Sequence, residues 1–128
     1  MNLQFFSFMV ITYLIGAIPF GLLIVKLFKG EDVRKKGSGN IGATNVTRIY
    51  GIKLGLLTFI FDMLKGFLPV FLFPIFIANC SLPTEALKVI FAALAIIGHI
   101  FPIYLKFKGG KGVATGAGVF LGISPLGV

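Results

Sequence analysis

Residues 54–78 read LGLLTFIFDMLKGFLPVFLFPIFIA. Only Asp62 and Lys65 interrupt an apolar run long enough, at about 1.5 Å of helix rise per residue, to cross the ~30 Å hydrocarbon core of a bilayer. The whole chain has the same character. Of its 128 residues 57% are hydrophobic and 12% charged, and the mean hydropathy is +1.02. That is too little charge to cover a soluble surface. In lipid every backbone polar group must be satisfied internally, so long apolar runs of this kind become helices. The expected fold is all-α, a polytopic transmembrane bundle forming a single domain.

Three further apolar runs flank this one. Residues 5–28 form a first span, with Pro19 tolerated as a kink and Lys26 and Lys29 snorkelling at its end. Its start lacks the basic region of a secretory signal, so it reads as an uncleaved span. Residues 84–105 form a third span, and residues 113–128 a partial fourth that is short of a full crossing. The chain is expected to stop inside that helix, as a C-terminally truncated sequence. Cys80 is the single cysteine and reads as an apolar filler, with no disulfide framework and no metal cluster around it.

The polar residues concentrate in two loops, 29–53 and 106–112. Ten of the 12 Lys and Arg lie in or beside them. Three alternating spans place both loops on one side, and the positive-inside rule makes that side cytoplasmic. The N-terminus and the turn at 79–83 then lie outside. The net charge of +8 points to anionic lipid and anionic substrate rather than nucleic acid.

The first loop carries Gly37-Ser-Gly39-Asn-Ile-Gly-Ala-Thr-Asn-Val-Thr-Arg48, after a charge run at 31–36 that by default is solvated. Gly37-x-Gly39-x-x-Gly42 matches a dinucleotide fingerprint in letters only. A charge run instead of a hydrophobic strand precedes it and no βαβ pattern exists, so dinucleotide binding is excluded. Glycines still allow backbone N–H groups to converge on an anion. A short helix from Ile41, capped by Ser38 or Asn40, would place Thr44 and Arg48 on one face with Asn45 beside them. The bland alternative is a flexible loop with an ordinary cap.

The second loop, Lys106-Phe-Lys108-Gly109-Gly110-Lys111-Gly112, fails the P-loop pattern because Gly112 stands where Ser or Thr should follow the lysine. Lysines among glycines ahead of a helix starting near Val113 still suit phosphate. The same residues also serve positive-inside anchoring, and Gly112, Gly116, Gly118 and Gly122 suit close helix packing. Asp62 and Lys65 share a helix face and read as a structural polar pair. His99, the only histidine, stands beside the second loop. No covalent nucleophile with a neighbouring base is evident. An enzyme built this way would work by positioning and electrostatics on an activated substrate.

Together the first motif, Asp62-Met-Leu-Lys65-Gly66, and Gly98-His-Ile-Phe-Pro102 followed by Phe107-Lys-Gly-Gly-Lys-Gly-Val-Ala-Thr115 resemble the bacterial membrane glycerol-3-phosphate acyltransferases that use acyl phosphate, the PlsY family. The resemblance covers nearly the whole chain. It implies transfer of an acyl group from acyl phosphate to the 1-hydroxyl of glycerol 3-phosphate, giving lysophosphatidic acid and phosphate at the cytoplasmic face of the inner membrane, without cofactor or metal. Carried over by motif, Ser38, Arg48, Lys108 and His99 would act on the substrates. Gly39, Asn40, Thr44, Asn45, Gly109, Gly110, Lys111, Gly112 and Thr115 would bind them or shape the site. The H-x-x-x-x-D acyltransferase class is excluded, because Tyr104 stands five residues after His99. The family continues beyond this length with a third polar motif, so the 128-residue chain alone is expected to be inactive or weakly active. The alternatives are a transporter or channel for a phosphorylated anion, and a scaffold with lipid-binding lysines.

Overall fold

A computed structural model describes residues 3–77 and 80–124. Residues 1–2, the end of the second expected span with the start of its turn (78–79), and the last part of the fourth run (125–128) lie outside the described residues. The described residues form helices α1 (Leu3–Gly16), α2 (Phe20–Lys29), α3 (Ala43–Tyr50), α4 (Ile52–Phe76), α5 (Thr84–Ile100) and α6 (Val113–Ile123), with short 3-10 turns at Val33–Lys35 and Ile103–Leu105. The protein is an all-helical integral membrane protein.

The first apolar run is not one helix. It breaks between Gly16 and Phe20, and α1 and α2 meet at a bend of 44°. Pro19 cannot donate to the helix ladder, and its ring crowds the preceding turn. The Ile18 carbonyl is taken up instead by the N–H of Phe20 at 3.0 Å and by Nζ of Lys65 on α4 at 2.9 Å. A charge at the centre of a span costs about 2.5–3.5 kcal/mol on insertion scales. Here Lys65 offsets part of that by pairing with Asp62 at 3.2 Å and by satisfying a carbonyl that the break leaves open.

Helix α4 is the centre, and α1, α2, α3, α5 and α6 all pack on it. Its approach to α6 is close because Gly118 presents no side chain. A Cβ there would sit 1.8 Å from the Met63 carbonyl oxygen. Gly116, one of the residues expected to serve packing, faces open space. The apolar core falls into two clusters. One joins Phe5, Val70, Phe91, Ala95 and Val119 across α1, α4, α5 and α6. The other joins Leu22, Val25, Val33, Ile41 and Val46, and so fastens the first loop between α2 and α3. Buried Thr12 and Thr58 donate back to the carbonyls of Phe8 and Leu54, four residues earlier, at 2.7 and 2.9 Å. Leu23, Leu27, Ile75, Phe76 and Phe120 point outward, as a lipid-facing surface requires.

Candidate phosphate site between two glycine-rich loops

The first loop is built by side chains. Gly30, left-handed at φ 66°, ends α2 by donating to the Lys26 carbonyl at 2.9 Å. Asp32 then accepts from the Arg34 backbone at 2.9 Å and from its guanidinium Nε and Nη2 at 3.0 and 2.8 Å. That fork holds the Asp32 carboxyl down to about 2. Glu31 pairs with Lys36, and the Tyr50 hydroxyl donates to Glu31 at 3.4 Å. The charge run is therefore an internally paired brace rather than a freely solvated stretch. The hydrogen bond from Lys36 also lowers the Glu31 carboxyl below its ordinary value.

Asn45 is the knot of this loop. It is 1% exposed. Its Oδ1 accepts from the Ser38 N–H at 3.0 Å, and its Nδ2 is shared among the carbonyls of Val33, Lys36 and Asn40 at 3.5, 3.2 and 2.9 Å. Gly37 and Gly39 supply the left-handed turns (φ 56° and 79°) that bring those carbonyls round. Asn40 closes the last step, accepting from Gly42 N–H at 2.8 Å. Helix α3 thus starts at Ala43, two residues later than expected. Its cap is Gly42 rather than Ser38 or Asn40, whose side chains shape the turns ahead of it.

The second loop is built by backbone. The N–H groups of Gly109 and Gly110 donate to the carbonyls of Ile100 and His99 at 3.0 and 3.2 Å, which satisfies the open end of α5. No other residue type fits there. A Cβ on Gly109 would lie 1.9 Å from the His99 carbonyl oxygen, and one on Gly110 would lie 2.4 Å from His99 Nε2. Lys106 and Phe107 pass through the left-handed region at φ 55° and 66°, which costs non-glycine residues about 1–2 kcal/mol each. Gly112, also left-handed, then turns the chain into α6.

Between the loops lies a cavity of about 190 Å³. The first loop and α3 contribute Ser38, Asn40, Thr44, Asn45 and Arg48. Lys111 and Gly112 come from the second loop, His99 from α5, and Phe59 and Asp62 from α4. The first turns of two helices also face it, Gly42 to Thr44 of α3 and Gly112 to Ala114 of α6. Helix first turns carry N–H groups without intrahelical partners and the positive end of the helix dipole. Ser38, Asn40, Thr44, Asn45, Arg48, His99, Lys111 and Gly112 are thus brought to one place. Gly39 and Thr115 are not on the wall, and Gly109 and Gly110 stand behind His99. Lys108 is exposed and is not on the wall either. Asp62 and Lys65 pair, but only Asp62 reaches the cavity. Among the described residues Asp62 Oδ1, His99 Nδ1 and Thr115 Oγ1 are buried without a hydrogen-bond partner.

Sequence reasoning missed Phe59, Gly42, Ala43, Val113 and Ala114. The helix-start signals could have found the last four. Phe59 precedes Asp62 by three positions and so shares its face. A second, apolar groove lined by Thr47, Ile52, Gly55 and Leu56 runs along α3 and α4 and shares Ala43, Thr44 and Phe59 with the polar cavity. The groove therefore shares a wall with the polar cavity and lies on the side of α4 where Ile52 and Leu56 are exposed.

The fold and the cavity define the class: an all-helical integral membrane protein with a polar, cation-lined cavity between two glycine-rich loops. The comparisons narrow it further. The family model described as "Glycerol-3-phosphate acyltransferase" matches residues 6–128, and the chain belongs to that family. It is 55% identical over 127 residues to the glycerol-3-phosphate acyltransferase of Desulfotalea psychrophila, covering 96% of this chain and 61% of that protein. It is 50% identical over 124 residues to that of Macrococcus caseolyticus, covering 97% of this chain and 61% of that protein. Among solved structures, PlsY, an integral membrane glycerol 3-phosphate acyltransferase, in its glycerol 3-phosphate form superposes with a TM-score of 0.80 at 44% identity. That match covers 94% of this chain and 58% of that one. The lysophosphatidic acid form of PlsY superposes with a TM-score of 0.78. The chain spans about three fifths of the length of these relatives.

Proposed function

We propose that these residues form the phosphate-binding part of an acyltransferase that moves a fatty acyl group from acyl phosphate to the 1-hydroxyl of sn-glycerol 3-phosphate. The products are lysophosphatidic acid and inorganic phosphate. One observation carries the reading. Two helix first turns and the cations Arg48 and Lys111, supplied by two loops far apart in sequence, converge on one cavity that shares a wall with an apolar groove. Such a site suits a phosphate on one side and an acyl chain on the other.

The chemistry needs no protein nucleophile. Acyl phosphate is a mixed anhydride. The acceptor oxygen attacks its carbonyl carbon, the bond from that carbon to the phosphate oxygen breaks, and phosphate leaves with the electron pair. The proton of the acceptor hydroxyl has two receivers at hand, the phosphate and His99. Arg48, Lys111 and the helix N–H groups hold the phosphates and stabilise the charge that develops. Ser38 and Thr44 donate to phosphate oxygens. Lys108, at the rim, steers anions inward. The apolar groove takes the start of the acyl chain.

The side of the membrane follows from the basic loops. The site faces the cytoplasm in the bacterial inner membrane, with the N-terminus outside. The test uses membranes carrying the full-length protein, incubated with acyl phosphate and labelled glycerol 3-phosphate. Labelled lysophosphatidate should form, and Arg48→Ala should lower its rate at least ~100-fold, as for loss of one transition-state donor. Label entering sealed vesicles without product would replace this reading with transport.

A further inference from the structure

The cavity is electrically lopsided. Arg48, Lys111 and both helix first turns lie on the loop side. Asp62, from inside the membrane-spanning helix α4, also lines it and is the only acidic residue on its wall among the described residues. A buried carboxylate is an expensive filler for an anion-binding cavity, because it repels the ligand the rest of the wall attracts. Pairing with Lys65 explains only part of it. Lys65 already serves the Ile18 carbonyl at 2.9 Å and pairs with Asp62 Oδ1 at 3.2 Å. Among the described residues Oδ1 finds no hydrogen-bond donor of good geometry. An ionised carboxylate has room for about four donors. Asp62 thus lines the cavity, is 2% exposed, and has acceptor capacity beyond its ion pair with Lys65.

An acceptor-only group facing a cationic wall fits one kind of ligand: anionic oxygens at one end, hydroxyl donors at the other. We propose that Asp62 binds the hydroxyl end of the phosphorylated acceptor and so determines both its orientation and its selection over phosphates that lack hydroxyls. The proposal rests on the acyltransferase reading and adds a specificity residue to it. Phosphate is pushed towards Arg48 and Lys111, and the hydroxyl-bearing carbons are drawn towards α4. Lys65 limits the cost of the carboxylate and fixes its rotamer.

The experiment compares two ligands of similar size on the full-length protein in nanodiscs: glycerol 3-phosphate and n-propyl phosphate, which has the phosphate but no hydroxyl. The wild-type protein should prefer glycerol 3-phosphate by ~10–100-fold, the range of a hydrogen bond to a charged group. Asp62→Asn should raise the glycerol 3-phosphate Kd and KM by that factor and change the propyl phosphate Kd less than ~3-fold. A carboxylate that serves only as a partner for Lys65 would instead lower the unfolding temperature and move both ligands together, which overturns the proposal. Equal wild-type affinity for the two ligands also overturns it, even if Asp62→Asn fails to fold. Binding of neither ligand by the wild-type protein would remove the phosphate site itself, and with it the reading on which this inference rests.

Discussion

The two glycine-rich loops look alike as sequence and are built in opposite ways. The loop before α3 is tied by side chains, with Asn45 making four hydrogen bonds to loop backbone and Asp32 and Glu31 bracing its start. The loop before α6 is tied by its own backbone to the end of α5, and Gly109 and Gly110 are there because His99 leaves little space. Gly37 and Gly39 of the first loop turn the chain, whereas Gly109 and Gly110 of the second let it lie flat on a helix end before Gly112 turns it into α6. Both constructions deliver the same product, a helix first turn aimed at one cavity with a cation beside it. The resemblance in composition thus goes with a shared cavity, not a shared local fold.

The contrast can be broken at its ties. Gly109→Ala should have the largest effect on folding. The new methyl has only backbone carbonyls and the Pro102 ring to push against, and overpacking of this kind costs about 1–3 kcal/mol before the lost bonds to α5 are counted. Thermal unfolding in detergent should show a clear drop. Asn45→Asp comes next. It keeps the acceptor for Ser38 but sets a carboxylate against three carbonyls, with a cost of about 1–3 kcal/mol for unsatisfied groups. Hydrogen exchange should accelerate across residues 36–42 and leave 106–112 protected. Equal loosening of both loops would show that they are not independently tied.

The smallest effect is that of pH on the brace. Asp32 is ordinarily near 3.8 and is held to about 2 by Arg34. A depressed carboxyl stabilises the fold above its ordinary value and loses that contribution as pH falls through the depressed one. The first loop should therefore be unchanged from pH 7 to about 4 and should loosen between about 4 and 2. Asp32→Asn should remove the part due to Asp32 and leave only that of the Glu31–Lys36 pair, read by amide exchange of residues 31–36.

Much of this was legible in the sequence. The long apolar runs announced the helices, and the segregation of basic residues announced two loops on one side. Glycine beside Arg48 and Lys111 pointed to the two segments that line one polar cavity. What stayed hidden depends on contacts between distant segments. Nothing near Pro19 says that Lys65, on another helix, will take the Ile18 carbonyl, so the first span read as one helix. Asn45 read as a substrate-binding or site-shaping residue and not as the tie of the loop, because the carbonyls it gathers become adjacent only once Gly37 and Gly39 have turned the chain. Lys108 and Lys111 are indistinguishable as letters, yet the turn through Lys106 and Phe107 leaves the first outside the cavity wall and the second on it.

The claim that two separate loops make one phosphate site is tested most directly by equilibrium binding of glycerol 3-phosphate to the full-length protein and three variants. Arg48→Ala and Lys111→Ala, one from each loop, should each weaken binding ~10-fold or more, as for a lost charge-assisted hydrogen bond, and Lys108→Ala less than ~3-fold. Full affinity in either Arg48→Ala or Lys111→Ala would contradict a shared site.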